Sequence, residues 1–321
     1  MKIALTGAAG FIGSCILWKL NQEGLDDIIA VDRLDETQKW RNLAGKSFAD
    51  YFEADDFIGL LYDGDIGDLD VIIHMGACTS TTLTDSRYYM ENNYEYTKLL
   101  AEYAAEKDVR FLYASSAATY GDGRFGFSDD DAVTKKLQPL NMYGYSKQLF
   151  DTWVLRNKLE TKFVGFKFFN VYGPNEYHKG DMQSLICKKF DGVRRDKTIQ
   201  LFRSNSKDYP DGEQKRDFIY VKDAIDIVYF FIENPDRAGI FNVGTGKARS
   251  WNELATALFK ALDIPLNIEY IDMPDTLRDK YQNFTEADIG KLRAAGFIDD
   301  FDAFENAIKD YAEYLLDKSN L

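Results

Sequence analysis

The sequence has few of the residues that form disulfide bonds or bind transition metals. Its 321 residues include three cysteines, Cys15, Cys78 and Cys187, and two histidines, His74 and His178. An odd number of cysteines without Cys-x-x-Cys spacing indicates neither a disulfide framework nor a zinc site, and no His-Glu-x-x-His segment occurs. We therefore predict no metal centre and a location in the reducing cytoplasm.

The sequence also lacks an excess of positive charge and a long apolar segment. Its 39 Lys and Arg residues are outnumbered by 53 Asp and Glu residues, and the net charge of −14 repels nucleic acid and anionic membranes. No apolar run approaches the roughly 20 residues that span a bilayer. Glycines interrupt the apolar N-terminal stretch that could otherwise pass for a signal peptide. We predict no nucleic-acid or membrane partner, and an anionic substrate would need a local basic pocket.

Apolar, β-branched segments alternate with segments of helical periodicity through the first half of the chain. This order predicts an α/β fold with a Rossmann-type, doubly wound parallel sheet of six or seven strands. The later part is less regular and predicts a smaller mixed α/β lobe. The segments that we interpret as strands of the sheet are 2–6, 27–32, 70–74, 110–116 and 164–170.

A glycine-rich turn follows the first predicted strand. Gly7, Gly10 and Gly13 permit a tight turn, close approach of the backbone to a pyrophosphate, and close packing of helix on strand. The helix that begins near Phe11 then directs its N-terminus at the phosphates. We therefore predict that this turn binds a dinucleotide.

Charged residues after the second predicted strand bear on which dinucleotide binds. Asp32 lies nineteen residues beyond Gly13, where an acid can accept hydrogen bonds from the adenosine ribose. Arg33 and Lys39 can balance a 2′-phosphate, which favours NADP. If both are ordinary exposed loop charges, NAD is the alternative, because Asp32 alone is typical of NAD sites.

The domain boundaries follow from this interpretation. We predict that residues 1–170 form the NADP-binding domain and that residues 217–242 return to it. Residues 171–216 and 243–321 would form the substrate-binding lobe.

A candidate acid/base pair begins the helix predicted near residue 143. Tyr143 and Lys147 are four residues apart, so both side chains lie on one face of the helix. A nearby ammonium is expected to lower the pKa of Tyr143 from its reference of about 10. Ser116 ends the strand predicted at 110–116, at the sheet edge where open α/β folds bind ligands. We predict that these residues exchange a proton with a substrate hydroxyl.

Several motifs occur in the order found in extended short-chain dehydrogenases/reductases, and the chain resembles this family over nearly its whole length. The motifs are G-A-A-G-F-I-G at 7–13, H-M-G-A-C at 74–78, S-S-A-A-T-Y-G at 115–121, Y-G-Y-S-K at 143–147 and F-F-N-V-Y-G-P at 168–174. Longer stretches resemble the nucleotide-sugar epimerases of this family that act on an ADP-activated heptose. Examples are E-N-N-Y-E-Y-T at 91–97 and F-N-V-Y-G-P-N-E-Y-H-K-G at 169–180.

The resemblance implies a role for each matching position. It implies that Tyr143, Lys147 and Ser116 are catalytic and that Lys179 is a second acid/base on the other face of the sugar. The implied cofactor contacts are Gly7, Gly10, Phe11, Ile12, Gly13, Asp32, Arg33, Lys39, Met75, Gly76, Ala77, Cys78, Thr79, Asn92, Lys147, Val171 and Lys179. The implied substrate contacts are Ser116, Asn170, Asp181, Lys188, Phe202, Arg203, Ser204, Asn205, Arg216 and Tyr281.

Among these positions, the guanidinium of Arg216 suits bidentate binding of the substrate diphosphate. A surface ion pair with Asp217 or Asp211 is the alternative.

The implied activity is epimerisation at C6 of ADP-D-glycero-β-D-manno-heptose to the L-glycero epimer. It would proceed by transient oxidation to a 6-keto sugar with bound NADP, in lipopolysaccharide inner-core heptose synthesis and in a homo-oligomer, with a pentamer indicated. A nucleotide-sugar 4-epimerase and a catalytically silent NADP-binding protein remain alternatives. A 4,6-dehydratase is disfavoured, because Ala117 and Ala118 stand where it would need an acid and a base.

Overall fold

The computed structural model describes residues 1–80, 83, 85–278 and 281–321. The strands are β1 (Ile3–Thr6), β2 (Ile28–Asp32), β3 (Asp50–Glu53), β4 (Val71–His74), β5 (Arg110–Ser116), β6 (Val164–Phe168), β7 (Asn170–Tyr172), β8 (Ile199–Phe202), β9 (Lys215–Tyr220), β10 (Gly239–Val243), β11 (Ala248–Ser250) and β12 (Ile268–Ile271). The helices are α1 (Phe11–Gln22), α2 (Ala54–Asp63), α3 (Ser86–Tyr89), α4 (Tyr96–Lys107), α5 (Asp131–Thr134), α6 (Met142–Arg156), α7 (Leu185–Asp196), α8 (Val221–Glu233), α9 (Trp251–Ala261), α10 (Asp275–Arg278), α11 (Gly290–Ala294) and α12 (Phe304–Asp317).

Seven parallel strands form the main sheet, in the order β10-β6-β5-β4-β1-β2-β3. Every residue of β1, β2, β4, β6 and β10 is buried. Strands covered on both faces are expected to be mostly apolar, and each of these segments has only one polar or charged residue. The predicted doubly wound parallel sheet is therefore confirmed.

The strand order reverses between β1 and β4, and this places the candidate site. From β1 the chain adds β2 and β3 on one side, whereas β4, β5 and β6 extend the sheet on the other. Ligands of open α/β sheets bind beyond the carboxyl ends of the strands at such a reversal. The glycine turn follows β1, residues 75–79 follow β4, and Ser116 ends β5.

The five segments interpreted as sheet strands correspond to five of the seven strands, and β10 begins within residues 217–242, which were predicted to return to this domain. Strand β3 was missed. The segment Asp50–Glu53 pairs with β2 as an edge strand, and its side chains alternate little in polarity. Two acidic residues in four conceal a strand from a pattern search, because half-buried edge strands need no apolar run.

Two apolar cores cover the two faces of the sheet. One includes residues of α1 and α8, which pack against each other, and the other includes residues of α2, α4 and α6. Among the described residues, no helix is both long enough and apolar enough to cross a bilayer.

Two small sheets and the C-terminal helices lie beside the main sheet. Strand β9 pairs in parallel with β7 and antiparallel with β11, and β8 pairs with β12. Helix α12 packs on α9 and α7. The predicted division into two domains remains a prediction.

Candidate active site

The glycine turn between β1 and α1 is shaped by its three glycines. Gly7 has a φ of +71°, and Gly10 donates its N–H to the carbonyl of Gly7 at 2.9 Å. A Cβ on Gly13 would lie 2.0 Å from the oxygen of Gly7, so only glycine allows this packing. Gly10 precedes the helix and has no side chain to cap it. The first turn of α1 therefore suits a phosphate, which accepts hydrogen bonds from exposed backbone N–H groups.

Asp32, at the end of β2, is tied to the glycine turn. Its Oδ2 accepts hydrogen bonds from the N–H groups of Ala9 at 2.8 Å and Gly10 at 3.1 Å. Its Oδ1 accepts one from the Lys39 ammonium at 2.8 Å. The carboxylate thus fixes the turn and holds Lys39 at the rim of an adjacent pocket.

This pocket has a volume of about 180 Å³ and contains the residues expected to bind adenosine. Arg33 lines it, and its Nε donates to Asp55 at 2.8 Å while another guanidinium N–H is bonded to Asn92. The Lys39 side chain is only 16% exposed. The expected cofactor residues that line this pocket are Gly7, Asp32, Arg33, Lys39, Gly76, Ala77, Cys78 and Asn92.

A larger cavity of about 380 Å³ brings the expected catalytic residues together. Ala77 lines both this cavity and the smaller pocket, so the two adjoin. Expected residues that line the larger cavity are Phe11, Ile12, Met75, Ala77, Thr79, Ser116, Tyr143, Lys147, Asn170, Val171, Lys179 and Asp181.

The prediction that the pKa of Tyr143 is lowered is wrong, because that pKa is raised overall. Burial raises the pKa of Tyr143, and a hydrogen bond with Ser116 is the largest influence that lowers it. The effect of desolvation on the Tyr143 pKa exceeds that of the Ser116 hydrogen bond, because the phenolate would lose its hydration in the cavity. Tyr145, the other tyrosine of this turn, is 47% exposed and does not line the cavity.

The Lys147 ammonium is buried without a hydrogen-bond acceptor among the described residues, and the residue is only 3% exposed. Burial lowers the pKa of Lys147 to about 8, against the opposing effects of Asp151 and Cys78. A buried, unpaired amine on the same helix face as Tyr143 fits the ribose hydroxyls of a nicotinamide cofactor.

Lys179 approaches the cavity from another segment, the 3₁₀ turn Tyr177–Met182. Its Nζ lies 4.9 Å from the ring centre of Phe11, and burial lowers its pKa while Glu176 opposes the shift. Glu176 is fully buried and anchors the turn. Its carboxylate accepts hydrogen bonds from the backbone N–H and the hydroxyl of Ser184, each at 2.6 Å, and from the Tyr311 hydroxyl at 2.9 Å.

A buried arginine lies beside the cavity. Arg216 is 7% exposed and donates to the carbonyls of Lys215, at 2.8 Å, and Gln282. Its guanidinium carbon lies 5.0 Å from the ring centre of Tyr281 and 5.9 Å from that of Trp251, which lines the cavity. The Trp251 indole donates to the Tyr281 hydroxyl at 2.9 Å. A phosphate group suits this planar, aromatic-stacked cation.

The alternative ion pair for Arg216 is wrong. Asp217 accepts hydrogen bonds from Thr245, Gly246 and Ala287, and Asp211 accepts one from Ser204. Both carboxylates are therefore engaged elsewhere.

Some expected substrate residues do not line the cavity. Lys188 is exposed and lines a separate cavity of about 490 Å³. Phe202, Arg203, Ser204 and Asn205 lie at the end of β8 and in the loop after it. Arg203 is within 3.5 Å of Asp211. Their roles as substrate contacts remain predictions.

Sequence reasoning also missed residues that line the cavity. Ser115, Gln183, Ser184 and Trp251 belong to this group. Trp251 begins α9 directly after a Ser250 capping box, so its aromatic ring is held at a helix start. That capping signal was readable from the sequence, but the approach of α9 to the sheet depends on tertiary packing.

Comparisons with known proteins agree with this geometry. Residues 3–244 match the model of the NAD dependent epimerase/dehydratase family. The chain is 52% identical to a protein of Nitratidesulfovibrio vulgaris strain Hildenborough, covering 97% of each, and 44% identical to one of Fusobacterium nucleatum, covering 99% of each. Both are named ADP-L-glycero-D-manno-heptose-6-epimerase.

A solved structure extends the agreement to the fold. The Helicobacter pylori ADP-L-glycero-D-manno-heptose-6-epimerase superimposes with a TM-score of 0.82 at 28% identity, covering 98% of this chain and 96% of that one. The family match, the relatives that align over nearly their whole length, and the shared fold therefore agree. The chain belongs to the NAD dependent epimerase/dehydratase family.

Proposed function

We propose that the protein interconverts the D-glycero and L-glycero epimers of ADP-manno-heptose at C6, with NADP as its cofactor. The observation that carries this proposal is the single cavity lined by Ser116, Tyr143, Lys147 and Lys179. The names of the full-length relatives support the substrate.

The proposed cofactor follows from the pocket beside the glycine turn. The family description supports a nicotinamide dinucleotide, and Arg33 and Lys39 on the pocket lining favour the 2′-phosphate of NADP. Mass spectrometry of the nucleotide released from denatured protein tests this choice. Release of NAD alone would overturn it.

Ser116, Tyr143 and Lys179 have different roles in the oxidation and re-reduction of C6. A bound nicotinamide supplies the chemistry of accepting hydride from C6 and returning it. Ser116 hydrogen bonds the reacting oxygen, and either Tyr143 or Lys179 takes the hydroxyl proton. After the planar 6-keto sugar presents its other face, the second of these two groups returns a proton to the oxygen.

Arg216 binds the substrate diphosphate in this proposal. Stacking on Tyr281 and Trp251 holds the guanidinium plane while leaving donors for phosphate oxygens. Binding energy from this remote group can orient the sugar for reaction.

The direct test is incubation of the purified protein with ADP-D-glycero-D-manno-heptose and NMR of the product. We expect the L-glycero epimer. Inversion at C4 instead would favour a 4-epimerase, and unchanged substrate with bound NADP would favour a catalytically silent protein.

A further inference from the structure

An ion pair is completely buried behind the candidate site. Lys167 lies near the carboxyl end of β6 and Asp151 lies on α6, and both side chains are 0% exposed. Lys167 Nζ and Asp151 Oδ2 are 2.7 Å apart. The pair does not line the cavity that holds the expected catalytic residues.

Hydrogen bonds connect this ion pair to both sides of Ser116. The Ser115 hydroxyl donates to Asp151 at 2.7 Å. Lys167 donates to the Thr119 hydroxyl at 2.9 Å, and Thr119 in turn donates to the carbonyl of Ser116 at 2.8 Å. The strand end and the turn that hold Ser116 are therefore both tethered to the pair.

The same ion pair is connected to the acid/base helix. Asp151 lies one turn beyond Lys147 and two turns beyond Tyr143 on α6, and this spacing puts all three on one helix face. The pair thus joins the helix that carries Tyr143 and Lys147 to the strand that carries Ser116.

A contribution to stability alone does not explain why the buried Asp151–Lys167 ion pair is present. Desolvation of two charges offsets their attraction, and well-packed apolar replacements of both partners are often neutral or stabilising. Removal of one partner alone leaves an uncompensated buried charge and is strongly destabilising.

We propose that Asp151 and Lys167 are positioning residues that hold Ser116 in register with Tyr143 and Lys147. This inference rests on the proposed function, because it assumes that these three groups act on one substrate hydroxyl. A small displacement of one of them is enough to slow the reaction, since acid/base catalysis needs hydrogen-bond geometry.

Asp151 has a second effect on Lys147 through its charge. It opposes the lowering of the Lys147 pKa by burial. Lys147 also interacts with Cys78, four residues after β4, and with His74 at the end of β4. The pKa of His74 is itself lowered to about 3 by burial and by Lys147. Loss of the Asp151 charge should therefore move the titration of Lys147 to lower pH.

The first test is the double variant Asp151→Leu/Lys167→Met, which removes both charges together. We expect a folded protein with kcat reduced about 10- to 100-fold. Its melting temperature should fall, because the buried hydroxyls of Ser115 and Tyr113 lose their acceptor. KM should change little. A folded double variant with unchanged kcat would overturn the proposal.

Two single variants test the same network if the double variant does not fold. Thr119→Val removes the hydroxyl between Lys167 and the Ser116 carbonyl, whereas Tyr113→Phe removes a hydroxyl that donates to Asp151 at 3.1 Å from a point three residues before Ser116 on β5. We expect kcat to fall for Thr119→Val and to stay near parental for Tyr113→Phe. Equal kcat values in the two variants would contradict the proposal.

Binding of NADP⁺ separates this inference from the proposed function. If the parent protein fails to epimerise ADP-heptose, the proposed function fails, but NADP⁺ affinity can still be measured against pH by calorimetry. The decline in affinity as Lys147 deprotonates should begin at lower pH in the double variant than in the parent. Identical pH profiles would overturn the electrostatic part of the inference.

Discussion

At the scale of single residues, the lysines of the site differ in what surrounds them. Lys147 is buried and Lys179 is half-buried in the cavity lining, both with lowered pKa values, whereas Lys167 is completely buried and paired with a carboxylate. An amine whose pKa approaches neutrality can exchange protons, and a paired one stays a fixed charge. The structure thus distinguishes two cavity-lining lysines with lowered pKa values from one lysine that is held in a buried ion pair.

Substitution of Lys179 tests its role as the second acid/base. We expect Lys179→Met to lower kcat about 100-fold or more, because the reaction loses one of the two groups that take and return the hydroxyl proton. Tyr143→Phe should cause a comparable loss. Tyr145→Phe is the matched control, since this tyrosine is exposed and should leave kcat unchanged. Full turnover by Lys179→Met would remove Lys179 from the mechanism.

Two glycines within helices should respond oppositely to alanine. In Gly13→Ala the new Cβ would clash with the Gly7 carbonyl, so we expect loss of NADP⁺ binding and a lower melting temperature. Gly192→Ala on α7 meets nothing within 4 Å and should stabilise the protein by about 0.5 to 1 kcal/mol. Thermal unfolding and cofactor titration of the two variants check the contrast. Equal behaviour of the two would contradict the packing argument.

At the scale of elements, sequence periodicity predicts the buried strands but not which segments that are distant in sequence pack together. The apolar runs of β1, β2 and β4, each of which ends in one polar or charged residue, are visible locally, as is the spacing of Tyr143 and Lys147. The stacking of Arg216 on Tyr281 and Trp251 joins β9, α9 and the segment after α10, and no local pattern encodes it. One local pattern does indicate a long-range contact. The charged Lys167 interrupts an otherwise apolar strand, which indicates a buried partner of opposite charge.

The 3₁₀ turn with Lys179 depends on the buried Glu176. Glu176→Gln keeps a hydrogen-bond acceptor but removes the charge that raises the Lys179 pKa. That pKa should therefore fall, and the acidic limb of the kcat profile should move to lower pH. Tyr311→Phe removes one hydrogen bond to Glu176 but keeps the Glu176 charge, so the acidic limb of the kcat profile should not move in this variant. A parental acidic limb in Glu176→Gln would contradict the coupling.

At the scale of the whole molecule, burial of acids near the start of α8 sets part of the pH dependence of stability. Asp223 is 8% exposed, and burial raises its pKa to about 7. An unfolded Asp titrates at about 3.9, so the folded state binds more protons between these values and stability falls as pH rises through them.

Asp223→Asn should remove this dependence. The amide can still accept the hydrogen bond from the N–H of Asp302, and it has no charge to desolvate. We expect the variant to gain stability relative to the parent as pH rises from about 4 to about 7, and to keep that gain above it. Chemical denaturation over this range measures the difference, and a constant difference would contradict the assignment.

The central claim is that C6 is inverted by hydride transfer to and from one bound cofactor. The most direct measurement is epimerisation of ADP-D-glycero-D-manno-heptose in D₂O, with NMR and mass spectrometry of the product at C6. We expect an L-glycero product without deuterium at C6, because the hydride never exchanges with solvent. Deuterium at C6 would contradict it, since that result requires removal of the carbon-bound hydrogen as a proton.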